Sequence, residues 1–202
     1  MEKINLFGAS GHGKVIMDII RANGDEVGCF YDDMPKGEMA GVRVVETDSS
    51  AVEEPVIVSI GDNMARKRVV SRLNVEFASA VHPAAIVSPS SKISEGTVVM
   101  QGAIVQADAQ IGRHCIINTG ASVDHDCRIG DFVHISPHAT LCGNVEVGEG
   151  TWIGAGAVVI QGIRIGKWSV IGAGSVVVKD IPDGVVASGN PCRERHAAEV
   201  HE

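Results

Sequence analysis

Two patterns of apolar residues divide the chain. From Val81 to Val177 every sixth residue is Val, Ile or Leu, an unbroken run of seventeen positions that includes Ile93, Val105, Ile111, Val123, Ile135, Ile153 and Ile171. The residue two places earlier is nearly always small or β-branched, as at Ala103, Cys115, Ala121, Ala139, Thr151 and Ser175. The residue one place later is Gly at 112, 130, 148, 154, 166 and 172. A period of six fits neither an amphipathic helix nor a strand with alternating faces. It fits a solenoid in which each hexad forms one flat side and three hexads close a triangular coil of parallel strands. The aliphatic residue then fills the axis, and the small residue fits beside it. Seventeen hexads make between five and six such coils, stacked about 4.8 Å apart.

Residues 1–80 lack the hexad. Apolar runs over 4–7, 26–30 and 55–60 predict three strands, and 14–22 and 63–73 predict helices. Strands alternating with helices imply a small Rossmann-like parallel α/β domain with ligands expected beyond the carboxyl ends of its strands. The second strand leads into Asp32 and Asp33, and the third into Gly61. His82 and Pro83 join this domain, 1–80, to a solenoid domain, 81–178. A Pro- and Gly-rich tail, 179–202, follows and is expected to cap the last coil. Its final residues, 194–202, are expected to be mobile or a short helix.

Composition narrows the class. At 202 residues, 45% hydrophobic and 21% charged, the chain has the make-up of a soluble globular protein with room for two small domains. Its 3% aromatic content suits a solenoid with a narrow interior. No apolar stretch reaches the length of a membrane span, and no secretory signal opens the chain, so a cytoplasmic location is expected. A net charge of −8 with scattered basic residues argues against nucleic acid. Cys29, Cys115, Cys127, Cys142 and Cys192 form no CxxC pair and are expected to be reduced core residues, Cys192 being a packed thiol of the tail.

Two stretches carry candidate chemistry. Gly8-Ala9-Ser10-Gly11-His12-Gly13-Lys14 lies between a strand and a helix, where backbone N–H groups can hold a phosphate. Gly8, Gly13 and Lys14 have the spacing of a nucleotide-triphosphate loop, but Val15 supplies no hydroxyl for magnesium. The glycines also depart from the G-x-G-x-x-G of dinucleotide folds. A nucleotide-sugar diphosphate fits better, and a tight ligand-free turn stays open. Asp32 and Asp33 suit base or ribose hydroxyls and equally suit a solvated turn.

On the solenoid, His125 lies two residues after Val123, and His134 lies just before Ile135, so neither is an inward position. Gly143 follows His125 by eighteen residues, one full coil, and presents bare backbone at the same corner. A histidine beside an uncluttered amide suits acyl transfer: the ring removes a proton from an attacking amine or hydroxyl, and the N–H stabilises the oxyanion. Asp126 or Asp124 can orient the ring. His125 and His134 are half a coil apart and so lie on different sides of the prism. They converge only across a subunit boundary, which predicts a trimer with sites between chains. The competing chemistry is a zinc site of the kind in hexapeptide carbonic anhydrases. That needs three convergent nitrogens, and the ligand spacing of those enzymes is not evident here. His114 and His138 are expected to be surface residues.

Taken together, Gly8-Ala9-Ser10-Gly11-His12-Gly13, Asp32-Asp33, Ile60-Gly61-Asp62-Asn63, His82-Pro83, Asn118-Thr119, Asp124-His125-Asp126-Cys127 and Gly189-Asn190-Pro191 span nearly the whole chain. This set resembles the bacterial sugar O- or N-acetyltransferases of the sialic-acid O-acetyltransferase type, which include UDP-4-amino-sugar N-acetyltransferases. The resemblance implies a left-handed parallel β-helix, with His125 as general base and Asp126 raising its basicity. It implies His134, Asn118, Ala155 and Ala173 on the acetyl-CoA side, and Gly11, His12, Gly13, Asp32, Asp33 and Gly61 around the nucleotide sugar. The implied reaction moves acetyl from acetyl-CoA to the 4-amine of a UDP-linked amino-dideoxy sugar with no metal, Gly143 holding the oxyanion. Acetylation of a sialic-acid hydroxyl is the alternative.

Overall fold

The computed structural model describes residues 2–34, 37–47, 52–53 and 55–198. The N-terminal domain runs β1 (Lys3–Phe7), α1 (Gly11–Ala22), β2 (Glu26–Asp32), β3 (Glu38–Met39), β4 (Val42–Glu46), β5 (Val56–Val58) and α2 (Asn63–Arg72). Its sheet has the order β3-β4-β2-β1-β5 and is parallel except at the β3–β4 pair. Several boundaries differ from the sequence reading. Helix α1 begins at Gly11 because Ser10 is extended and the glycines already adopt helical angles. Strand β2 continues to Asp32, β5 is shorter than 55–60, and α2 stops at Arg72. The β3–β4 hairpin was not expected from the sequence: its second strand, Val-Arg-Val-Val-Glu, is short and partly charged, so its alternation is weak.

Helix α1 buries Ile16, Met17, Ile19 and Ile20. That spacing gives it apolar sides toward both its own sheet, at Leu6 and Phe30, and the solenoid, at Ala80, Val98, Met100 and Ile116. One shared core therefore fixes the two domains to each other.

The solenoid is a left-handed parallel β-helix of seventeen two-residue strands, from Ala80–Val81 to Val176–Val177. They form three parallel sheets, one per side of the prism. Face one contains Ala80–Val81, Val98–Val99, Ile116–Ile117, His134–Ile135, Trp152–Ile153 and Val170–Ile171. Face two begins at Ile86–Val87 and face three at Lys92–Ile93. Each strand pairs with the one eighteen residues on, as Val105 with Val123 and Val123 with Leu141. The aliphatic column fills the axis, with Ile117, Val123, Ile135, Leu141 and Ile153 fully buried. Truncating such a residue to Ala is expected to cost about 2–5 kcal/mol. Polar groups in the inward small positions are satisfied by corner carbonyls. Thr97 Oγ1 donates to Gly112 O at 2.8 Å, Thr151 Oγ1 to Gly166 O at 2.6 Å and Cys127 Sγ to Cys142 O at 3.2 Å. All five cysteines are free thiols; four, Cys192 among them, are buried and Cys142 is partly exposed.

The outward residues distinguish the three faces. On face one Ala80, Val98 and Ile116 are covered by the N-terminal domain, whereas Trp152, beyond its edge, is exposed. Face two presents Ile86, Ile104, Ser122, Thr140, Val158 and Val176, without a charge. Face three presents Lys92, Gln110, Arg128, Glu146 and Arg164. In the tail, Val185–Ser188 extends face one and Arg193–Ala197 pairs with it antiparallel, so residues 194–197 are strand and not helix. Residues 199–202 lie outside the described residues. No helix of the described residues is long and apolar enough to cross a membrane.

Candidate active site

His125 stands on the corner after face two, where Asp108, Asp126, Asn144 and Gly162 of successive coils all have positive φ, from 58° to 71°. Asp and Asn tolerate that left-handed conformation better than most residues. The corner turns Asp126 back toward its neighbour, and its Oδ2 lies 2.8 Å from His125 Nδ1. Asp126, though shorter than Glu, makes the contact. The side chain of His125 is 60% exposed. Its pKa is raised, chiefly by the Asp126 hydrogen bond and then by the Asp124 charge. With Nδ1–H donating to Asp126, Nε2 carries the lone pair. Nε2 abuts the next coil: a Cβ added to Gly143 would lie 2.6 Å from it. Cys142 and Asn144 donate their N–H groups to Val159 and His125, while Gly143 N–H makes no bond among the described residues.

His134 has the opposite surroundings. It projects from face one at the edge of the N-terminal domain and is only 9% exposed. Its ring stacks on Trp152 with centroids 5.7 Å apart, and Trp152 is held by Nε1–H donating to Ser136 Oγ at 2.7 Å. Asn118 Oδ1 accepts from Thr119 N, which fixes the amide so that Nδ2 donates to His134 Nε2 at 3.0 Å. His134 therefore carries its hydrogen on Nδ1. The Gly61 carbonyl approaches the ring, but Nδ1 is buried without a bond of good geometry. Burial, followed by the charges of Arg66 and His12, lowers the His134 pKa to about 3. His12 is held at about 4 by burial and then Arg66, and its Nε2 is likewise buried and unpartnered. His134, Asn118, His12 and Gly61 thus gather at the junction of the domains.

The glycine-rich turn folds as the helix reading requires. Gly13 packs so closely on Gly8 that a Cβ there would lie 2.6 Å from Gly8 O. Ser10 makes no side-chain cap, which leaves the first-turn N–H groups of α1 available. Asp32 belongs to this turn: Oδ2 accepts from Ala9 N at 2.8 Å and Oδ1 from Met34 N at 2.9 Å. Asp33 faces another way, toward Arg72 at 3.8 Å and a cleft with Phe7, Thr47 and Leu73. Ala155 and Ala173 stack on adjacent coils at the corner after face one, both exposed, with Gly174 N donating to Ala155 O at 2.8 Å. Asn118 occupies the same edge two coils earlier. His125 lies at the far edge of face two, so this chain alone does not bring it to the His134 group.

The other histidines do not build a metal centre. His114 is not on the surface: it is 1% exposed, packed between Phe77 and Phe132, with both ring nitrogens unpartnered. His138 sits at a corner against Gly120. Among the described residues, no three His, Cys, Asp or Glu side chains are placed to hold a metal ion. A trough of about 850 Å³ runs along face three past Arg128, Glu146 and Arg164 and touches none of the candidate residues.

Residues 3–73 match the family described as the PglD N-terminal domain, and residues 144–179 match the bacterial transferase hexapeptide family (six repeats). A histidine-to-asparagine variant of perosamine N-acetyltransferase from Caulobacter crescentus, solved with CoA and GDP-perosamine, is 40% identical. It superposes with a TM-score of 0.92 over 96% of each chain. The chain belongs to the hexapeptide-repeat sugar N-acetyltransferases. Within this family, the acetyltransferase domain of PglB from Neisseria gonorrhoeae, solved with acetyl coenzyme A, is 39% identical. Coverage is 96% of this chain and 98% of that one, and the TM-score is 0.91. UDP-N-acetylbacillosamine N-acetyltransferase from Bacillus subtilis is 46% identical over 112 residues, 50% of this chain and 52% of that protein. The chain thus matches about half the length of that curated relative.

Two residues of this site were missed by sequence reasoning. Trp152 is the large aromatic beside His134, and its signal was an outward position directly one coil after that histidine. Arg66 is buried beneath the junction. It lies in a polar helix with four basic residues among ten, which reads as a solvated surface.

Proposed function

We propose that the protein transfers the acetyl group of acetyl-CoA to the 4-amino group of a UDP-linked amino-dideoxy sugar, in the cytoplasm, from sites shared between the chains of a homotrimer. The observation that carries this reading is the His125 corner, with Nδ1 on Asp126 and Nε2 against the Gly143 backbone. His125 Nε2 takes the proton as the amine nitrogen attacks the thioester carbonyl. Gly143 N–H donates to the oxyanion while the C–N bond forms. When the tetrahedral intermediate collapses, the C–S bond breaks and His125 returns the proton to the thiolate. A positioned base contributes about 10²–10⁴ in rate, and one oxyanion donor about 10²–10³.

Face two supports the shared site. Its outward residues carry no charge, and its Ile86 is 65% exposed. A run of side chains that are β-branched except at Ser122, without charge, suits contact with a second copy. Its two edges are the His125 corner and the Ala155–Ala173 corner. Threefold packing through this face sets one chain's His125 beside its neighbour's alanine edge and His134 junction. The nucleotide sugar then lies over Gly11, His12, Gly13 and Gly61, with Asp32 holding the turn and Asp33 beyond it. The thioester arm lies along Ala155 and Ala173.

Thiol release from acetyl-CoA tests the reading, with a UDP-4-amino-4,6-dideoxy sugar, GDP-perosamine and free sialic acid as acceptors for the native chain and His125→Ala. Release with the UDP-amino sugar, lost in the variant, is expected. Release with GDP-perosamine only would move the assignment to a guanosine-linked sugar, and with sialic acid only to O-acetylation. Full activity of His125→Ala would remove the base.

A further inference from the structure

The chain has two tryptophans, Trp152 and Trp168, and both line one cleft of about 160 Å³. Val170, one coil beyond Trp152, and Met64 of α2 complete its walls, and the exposed Asp62 and Arg68 stand at its rim. Both rings are held in place. Trp152 lies parallel to His134 and donates Nε1–H to Ser136 Oγ, so one of its faces is occupied and the indole is pinned. Trp168 sits at a left-handed corner, φ 53°, packed against Gly150 where a Cβ would strike its ring. Lys67 Nζ lies 5.0 Å from that ring's centre and 2.6 Å from Glu149 Oε1. Asn63 Nδ2 donates to Gly150 O at 3.0 Å and Thr151 O at 3.3 Å, which fastens the first turn of α2 to the coil that carries Trp152. Trp152 is nevertheless 47% exposed. A pinned indole loses little freedom when a ligand covers it, and covering it takes a large apolar area out of water.

Size, chemistry and position identify that ligand. Sites for drug-sized molecules measure roughly 300–1,000 Å³, so this cleft has room for one ring and not for a whole nucleotide. The C–H face of a pyranose suits the electron-rich face of an indole, and a sugar that lacks two hydroxyls has more apolar surface to bury there. Asp62 and Arg68 offer an acceptor and donors to the polar groups that remain. The cleft also continues the acceptor path: Asp62 follows Gly61, which the reading above sets beneath the nucleotide sugar. Ala155 of the thioester corner follows Trp152 by three residues.

We propose that the Trp152–Trp168 cleft is the sugar subsite of the acceptor, where the deoxy-sugar ring packs on Trp152 with one edge in the cleft and its 4-amine toward the Ala155 corner. This rests on the nucleotide-sugar reading above, but binding tests it without turnover. Calorimetry and tryptophan fluorescence are run with two pairs of ligands: UDP with a UDP-4-amino-4,6-dideoxy sugar, and GDP with GDP-perosamine. In the native protein the nucleotide sugar is expected to change the tryptophan emission and the bare diphosphate to leave it unchanged. Trp152→Ala is expected to weaken the nucleotide sugar about tenfold or more and the bare diphosphate less than about twofold. Trp152→Phe, which keeps a ring, is expected to weaken the nucleotide sugar less than about threefold. Val170→Trp fills the cleft from the coil beyond, away from His134, and is expected to give the same selective loss; it decides the matter if Trp152→Ala does not fold. Native-like binding of the nucleotide sugar by the deciding variant overturns the proposal. Equal losses of nucleotide sugar and bare diphosphate would put a nucleobase in the cleft and also overturn it. Binding of neither nucleotide sugar by the native protein overturns it together with the reading on which it rests. Selective loss seen only with the GDP pair supports the subsite and removes only the uridine assignment, and selective loss without acetyl transfer supports it and removes only the reaction assigned above.

Discussion

His125 and His134 lie on the same solenoid, half a coil apart, in opposite chemical states. His125 stands at a solvent-exposed corner, bonded to a carboxylate, with its pKa raised. His134 projects from a face that another domain covers, bonded to an amide, with its pKa near 3. The repeat alone does not distinguish them, since both project outward from the coil. Their neighbours do: a corner in the left-handed conformation supplies an Asp, and the edge of the N-terminal domain supplies burial and the Arg66 charge. One ring is thereby fitted to accept a proton, and the other to donate a hydrogen bond while remaining neutral.

The largest test of this contrast is deletion of each ring. His125→Ala is expected to lower kcat about 10³-fold with KM little changed, whereas His134→Ala acts mainly on KM; steady-state kinetics for both substrates separates the two. Gly143→Ala comes next. Its Cβ would lie 2.6 Å from the His125 ring, so ring and N–H are displaced together, and kcat/KM should fall about 10²-fold. For Asp126→Asn the sign is set by the raised His125 pKa. The base works when neutral, so activity climbs as pH rises through that pKa. Removing the largest cause of the rise moves the climb to lower pH and reduces the plateau about tenfold, as a pH profile of kcat/KM would record.

A smaller effect concerns stability. His12, His114 and His134 have folded pKa values of about 4, 4 and 3, below the ordinary value of 6.5. As pH falls from 6.5 toward 4, the unfolded chain takes up protons that the folded chain does not, so stability is lost in that window. Each ring contributes at most about 1.4 kcal/mol per pH unit. Denaturant melts between pH 8 and 4 measure the slope. The smallest expected change is His114→Phe. It removes two unpartnered buried nitrogens at a left-handed corner where Phe132 already sits one coil on. Tm at pH 7 should rise by about 2–4 °C and the acid slope should flatten.

The solenoid was legible because every hexad repeats the same packing problem, so seventeen weak signals add. The His125–Gly143 pairing followed from the eighteen-residue coil alone, and the register confirms that stacking. The β3–β4 hairpin was hidden because Val42–Glu46 mixes charge into a short strand. His114 and Arg66 were illegible for another reason. Each is polar by local pattern and is buried with help from the other domain, Phe77 over His114 and the His114 and Phe132 carbonyls around Arg66, and no periodicity encodes those contacts. The split between Asp32, which braces the turn, and Asp33, which faces Arg72, depends on how the chain leaves β2, again beyond any local pattern.

The central claim is that the base on one chain serves the substrate edge of another. It is tested by co-expressing two separately tagged inactive variants, His125→Ala and Ala173→Trp, the latter filling the proposed thioester groove. In a mixed trimer of either composition, one of the three sites joins an intact corner to an intact edge. Hybrids purified through both tags should therefore recover about a third of native activity. Hybrids no more active than their parents would contradict the account and put the whole site within a single chain.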